Sequence, residues 1–132
     1  MTELSSDLKS IIGEEYSAKD FRTWNATVLA AVSLGADDPH ALSKTARKRA
    51  ANRAVKAVSV MLGNTPAVAR RSYIDPRVFD RYDSGWTIAG ALDRLDELDP
   101  ADNRDRAKLE RAVLDLLAEN VESPALEHAE AA

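Results

Sequence analysis

The 132 residues include no cysteine, two histidines, two methionines and only 5% aromatic side chains. Without cysteine there is neither a disulfide framework nor a thiolate metal site, and His40 and His128 alone offer imidazole nitrogen. No metal site is therefore expected, and a reducing, intracellular setting fits. No apolar run approaches the roughly 18 residues that mark a membrane span, and the polar start Met1-Thr2-Glu3 lacks the apolar centre of a signal peptide. The expectation is a soluble cytoplasmic protein with no membrane partner. By length it is one domain, large enough for a core, and with so few aromatics Ala and Leu must do most of the packing.

Acids are missing from one long stretch. Between Pro39 and Ile74 there is no Asp or Glu, while Lys44, Arg47, Lys48, Arg49, Arg53, Lys56, Arg70 and Arg71 supply eight positive charges. The other ten bases, set against 22 acids, leave the remainder at −12. A field so segregated within a chain of net charge −4 points to a polyanion held at one face. The plain alternative is a solvated helix with arginines for solubility, but solvated faces ordinarily interleave both signs.

Nearly every segment reads as helix. Leu4 to Ile12 is a short helix stopped by Gly13. Ser17, with Asp20 three residues on, resembles a capping box opening a longer one in which Phe21, Trp24, Val28 and Val32 recur at helical spacing up to Gly35. Asp38-Pro39 reads as an N-cap with proline in the first helical position, opening a helix that runs to Leu62 and stops at Gly63. Asn64-Thr65-Pro66 turns into a further helix, interrupted at Ile74-Asp75-Pro76 because the residue before proline is pushed out of the α region. A short helix from Arg77 to Tyr82 ends at Asp83-Ser84-Gly85, and Thr87 to Leu98 and Ala101 to Glu119 are amphipathic.

No segment shows the alternation of a strand. The fold class is all-α: a compact multi-helix domain over residues 1–120, then a flexible acidic tail over 121–132. Its core is expected from Phe21, Trp24, Val28, Leu29, Val58, Met61, Leu62, Val68 and the Leu109 to Leu117 stripe. Trp24, Trp86 and Tyr82 read as packing residues rather than base-stacking platforms. His40 is expected to be exposed, and His128 to lie in the tail.

Three short stretches carry the chemistry: Lys19-Asp20-Phe21-Arg22-Thr23-Trp24, Leu62-Gly63-Asn64-Thr65-Pro66 and Arg70-Arg71-Ser72-Tyr73-Ile74-Asp75-Pro76. Singly, each has a structural reading. Tyr73 beside a proline is a core tyrosine, Arg22 is a surface ion pair with Asp20 or Glu15, and Asn64 after glycine is a helix cap or turn residue. Together, in this order and at these intervals, they closely resemble the C-terminal half of the catalytic domain of type IB DNA topoisomerases, of the compact kind found in bacteria and poxviruses. The resemblance runs from about Leu4 to Tyr82 and more loosely to Leu117.

The resemblance implies the C-terminal portion of the catalytic-core fold shared by these enzymes and tyrosine recombinases, acting on double-stranded DNA without metal or nucleotide. It matches Tyr73 to the nucleophile, which forms a 3′-phosphotyrosyl link and frees a 5′-hydroxyl, and Arg22 to an arginine on the scissile phosphate. Asn64 stands where many members have histidine, which keeps a donor to phosphate and removes proton chemistry. Lys44, Arg47, Lys48, Arg53, Arg70 and Arg71 are the expected DNA-binding residues. A tyrosine hydroxyl titrates near 10, so it attacks well at neutral pH only where positive charge stabilises the phenolate and the pentavalent phosphate. Tyr73 can point back to the turn at Asn64 to Pro66, where free backbone amides are expected to help attract an anion.

In the family, two further cations precede this region: another arginine, and a hairpin lysine acting as general acid. Nothing before Lys19 supplies that hairpin, Lys9 falls in a helical segment, and Lys44, Lys48 and Lys56 follow Arg22. The expectation is therefore a C-terminal catalytic fragment, monomeric and nucleoid-associated, inactive without the N-terminal portion of the same enzyme. Two alternatives stay open. One is a stand-alone DNA-binding or partner-binding helical module. The other is a tyrosine recombinase fragment, although recombinases generally carry His-x-x-Arg and Leu-Gly-His where this chain has Lys19-Asp20-Phe21-Arg22 and Leu62-Gly63-Asn64.

Overall fold

A computed structural model describes residues 18–36, 43–93 and 103–128, and helix dominates them. The central rod is α1 (Ala18–Gly35). It packs most extensively on α2 (Lys44–Leu62), and it also meets α4 (Arg77–Asp83), α5 (Ala89–Asp93), α6 (Asn103–Leu117) and the two-residue strand β1 (Trp86–Thr87). Between α2 and α4 runs α3 (Pro66–Ser72), which leans on α2. The described residues form an all-α fold with one two-stranded clasp, in which β1 pairs antiparallel with β2 (Glu127–His128).

The core is built from small side chains, as the composition requires. Ala26 and Ala30 on α1, and Ala50 and Ala54 on α2, have no exposed surface. Each pair is spaced i, i+4, so each helix offers a low ridge along which backbones can approach closely. Around them pack Trp24, Val28 and Leu34 on α1, Val55 and Val58 on α2, Val78, Phe79 and Tyr82 on α4, and Leu109, Val113, Leu116 and Leu117 on α6. Ala50 and Ala54 thus lie on the inner face of the basic helix, with the bases on the other sides.

Trp24, Val28, Val58 and the Leu109 to Leu117 stripe are buried as expected, and the five other expected core residues are less so. Phe21, Leu29, Leu62 and Val68 are only half-buried, and Met61 is 47% exposed beside Val60 at 76%. Met61 sits in the last turn of α2, on a side that the described residues leave partly uncovered. The basic helix also starts later than Pro39. Ser43 is its N-cap, with extended backbone and Oγ accepting from the Ala46 amide at 3.1 Å. Asp38-Pro39, His40, the Leu4 to Ile12 segment, Ser17 and Leu95 to Leu98 lie outside the described residues.

Polar bonds tie α6 in place. The indole Nε1 of Trp24 donates to Oε2 of the buried Glu110 at 3.3 Å, and Arg106 Nε donates to its Oε1 at 3.4 Å. Arg106 also donates through Nη2 to Asn25 Oδ1. At the far end, Arg81 on α4 donates to the carbonyls of Leu116 and Leu117 at 3.1 and 3.0 Å, satisfying groups that a helix end leaves open.

Beyond α6 the chain departs from the expected flexible tail as far as His128. Ser123 and Leu126 are buried, and the His128 ring lies 4.5 Å from that of Trp86. A Cβ on Gly90 would come within 2.4 Å of the Pro124 carbonyl oxygen, so glycine is what admits this segment against α5. A two-residue strand has no period to read, which is why hydropathy does not reveal the clasp.

Candidate active site

The site begins where α2 ends. Gly63 adopts left-handed backbone, φ 71°, and its amide donates to the Val60 carbonyl at 3.3 Å while that of Asn64 donates to the Ser59 carbonyl at 3.1 Å. This paired closure is the one glycine makes easy at a helix end. Thr65 then caps α3, its Oγ1 accepting from the Val68 amide at 3.3 Å, with Pro66 in the first turn where a missing N–H costs nothing. The Asn64 amide is therefore committed and Pro66 has none, so of this turn's amides neither of these two serves the expected anion site.

Tyr73 ends α3. Its amide donates to the Ala69 carbonyl at 3.1 Å and its side chain is half-buried against the core. Ile74 is buried, and the Asp75 amide crosses to α1, donating to Thr27 Oγ1 at 3.1 Å. The Asp75 carboxylate opens α4, accepting from the Arg77 amide at 2.9 Å and from its guanidinium at 2.7 Å. The hydrogen bond from the Arg77 side chain holds the Asp75 carboxyl below its ordinary value, against an opposing effect of burial.

Arg22 joins the three stretches. Its guanidinium carbon lies 5.4 Å from the centre of the Tyr73 ring, and its Nη2 donates to the Leu62 carbonyl at 3.1 Å, at the edge of the Gly63-Asn64 turn. The side chain is exposed, and a guanidinium has five N–H donors, so one bond to a carbonyl does not exhaust it. The negative end of the α2 dipole favours a cation here.

The remaining expected cations are distributed around this point. Arg70 stacks on the buried Phe79 at 4.5 Å, which fixes its guanidinium at the surface between α3 and α4, and Arg71 is exposed. On α2, Lys44, Lys48 and Arg53 are exposed and Arg47 is half-exposed. Asn64 is half-buried. Three features went unread in the sequence: the Thr27 contact, the Asp75 and Arg77 pair, and the Leu62 carbonyl as an anchor for Arg22. Only the second had a local signal, an Asp just ahead of a proline-led helix start.

Among the described residues no group of three or more His, Cys, Asp or Glu side chains could hold a metal ion, and no helix is long and apolar enough to cross a membrane.

Residues 1–95, the span that contains Arg22, Asn64 and Tyr73, match the family described as eukaryotic DNA topoisomerase I, catalytic core. By class this is an isomerase that acts on DNA. The chain belongs to the DNA topoisomerase I family. The matched span includes β1 but stops short of α6 and β2; α6 nonetheless packs on α1 and α5, and the Ala125 carbonyl, just before β2, accepts from the Ala91 amide of α5. No curated protein matches the chain.

Proposed function

We propose that this chain is the C-terminal catalytic part of a type IB DNA topoisomerase of the compact bacterial and poxviral kind, relaxing supercoiled duplex DNA through transient cleavage of one strand. The Tyr73 hydroxyl attacks the scissile phosphorus and loses its proton, the bond from phosphorus to the 5′-oxygen breaks, and a 3′-phosphotyrosyl ester forms. After strand rotation the 5′-hydroxyl attacks that ester and releases Tyr73. The ester conserves the energy of the phosphodiester, so rejoining needs no nucleotide.

Arg22 places positive charge where the phenolate and the phosphorane develop theirs, and Asn64 adds a neutral donor. Lys44, Arg47, Lys48, Arg53, Arg70 and Arg71 hold the flanking phosphates. The general-acid lysine and the second arginine come from the preceding part of the enzyme. The observation that carries this reading is the position of Arg22, which touches both the turn after α2 and the Tyr73 ring.

The test is a duplex whose scissile 5′-oxygen is replaced by sulfur, a leaving group that needs no proton. Incubated with the chain and the preceding part of the enzyme, it should yield a covalent adduct that mass spectrometry locates on Tyr73. An adduct on Tyr16 or Tyr82 refutes the assignment. DNA binding with no adduct at all supports the stand-alone module instead.

A further inference from the structure

We infer that Thr27 is a positioning residue for the nucleophile, a role that rests on Tyr73 being that nucleophile. Tyr73 is the last residue held by α3, and beyond its amide the helix offers no further bond to fix where the ring lies. The ring's placement over Arg22 therefore depends on how the next residues are attached to α1. Two attachments are present: Ile74 is buried in the core, and the Asp75 amide is bound to Oγ1 of Thr27, a residue only 2% exposed.

A threonine inside a helix ordinarily turns its hydroxyl back to its own helix. Here it accepts from a residue 48 positions later in the chain. The Asp75 side chain is fixed at the same time by Arg77, so this peptide is held on both sides. Thr27 and Arg22 are carried by the same rod, five residues or about 7.5 Å of helix axis apart. One rigid element thus presents the charge and also holds the peptide from which the nucleophile is suspended. Displacements near 1 Å in such arrangements cost up to about 10²-fold in rate, whereas substrate affinity is set by other contacts.

The experiment uses the whole chain with the preceding part of the enzyme and the sulfur-containing duplex. Thr27→Val keeps the volume and removes the acceptor, and Thr27→Ser keeps the acceptor. At saturating DNA, Thr27→Val should slow single-turnover adduct formation by about tenfold, with Kd for DNA unchanged and the rate restored in Thr27→Ser. In the chain carrying ¹³C-labelled tyrosine rings, the Tyr73 signals should move in Thr27→Val and stay in place in Thr27→Ser.

The inference is overturned by a parental rate in Thr27→Val, by a loss confined to Kd, or by Thr27→Ser failing as Thr27→Val does. If Thr27→Val does not fold, Thr27→Cys, with a weak acceptor of similar size, replaces it under the same expectations. If the parent forms no adduct at Tyr73, the catalytic reading falls by itself. The ring signals then still decide, because a Tyr73 ring unmoved by loss of the acceptor ends the claim that Thr27 positions it.

Discussion

The guanidinium of Arg22 lies over the face of Tyr73, 5.4 Å from the ring centre, and the Leu62 carbonyl holds it there. Cation and ring attract each other by about 0.5–1 kcal/mol at exposed sites, so the two form one unit before any phosphate arrives. In the proposed reaction, a charge poised in this way would need little rearrangement as a Tyr73 phenolate formed. That is the condition under which electrostatic stabilisation is most effective.

Arg22→Ala should therefore lower adduct formation at Tyr73 by about 10²-fold or more, and Arg22→Lys should fall between that variant and the parent. Lysine keeps the charge but lacks the planar fork that can serve a carbonyl and a phosphate together. Tyr73→Phe should abolish the adduct. Single-turnover rates on the sulfur-containing duplex measure all three, and equal rates in Arg22→Lys and the parent would show that charge alone suffices.

DNA affinity should be governed by salt. If the chain neutralises about four phosphates, log K should fall against log salt with a slope near −3.6. Replacing Arg47, Lys48 and Arg53 together by Ala should flatten that slope without altering the fold, since none of the three is buried. Fluorescence titrations across a range of salt give the slope, and an unchanged value would exclude this helix from the interface.

Trp24 links α1 to α6 through both packing and its indole N–H. Trp24→Ala should cost about 3–5 kcal/mol. Trp24→Phe, which keeps the ring and leaves Glu110 without that donor, should cost about 1–3 kcal/mol. Urea unfolding measures both, and a loss below about 1 kcal/mol in Trp24→Ala would contradict the burial of the side chain.

The parts legible in the sequence are those decided locally. Gly63, Pro66 and the Ile74-Asp75-Pro76 break act within a few residues, so the end of α2 and both ends of α3 could be placed without knowing the fold. The convergence of Arg22 and Tyr73 was foreshadowed by motif order and interval. Met61 and Phe21 were misplaced because periodicity shows which side of a helix is apolar but not how far along its length a neighbour covers it. Thr27 was illegible for a related reason. A β-branched residue among alanines reads as packing, and only the fold brings Asp75 to its hydroxyl.

Acid should weaken the junction after Tyr73. The folded-state pKa of Asp75 is depressed by Arg77, so the pair contributes stability that is fully present above the unfolded value of about 3.9. It is lost as pH falls through the lower folded value. Asp75→Asn should be slightly less stable than the parent at pH 7, by a small amount because Arg77 is half-exposed. The two should converge once pH falls below that depressed folded value. Denaturant midpoints across pH measure this, and a gap that widens in acid would reverse the assigned sign.

The chain alone should not relax supercoiled plasmid. Expelling a 5′-alkoxide unprotonated is costly, and a positioned general acid typically contributes 10²–10⁴-fold. The residues assigned here to the reaction, Tyr73, Arg22 and Asn64, include none suited to that task. An arginine stays protonated through neutral pH and asparagine has no proton to give. Adding the preceding part of the enzyme should restore relaxation. Asn64→Ala should then reduce the rate less than Arg22→Ala does, because a neutral donor contributes less than a charge-assisted one. Gel assays of plasmid topoisomers read each of these directly. Relaxation by the chain alone would mean that one of its own side chains protonates the leaving oxygen, and the lysines on α2 would be the first to replace.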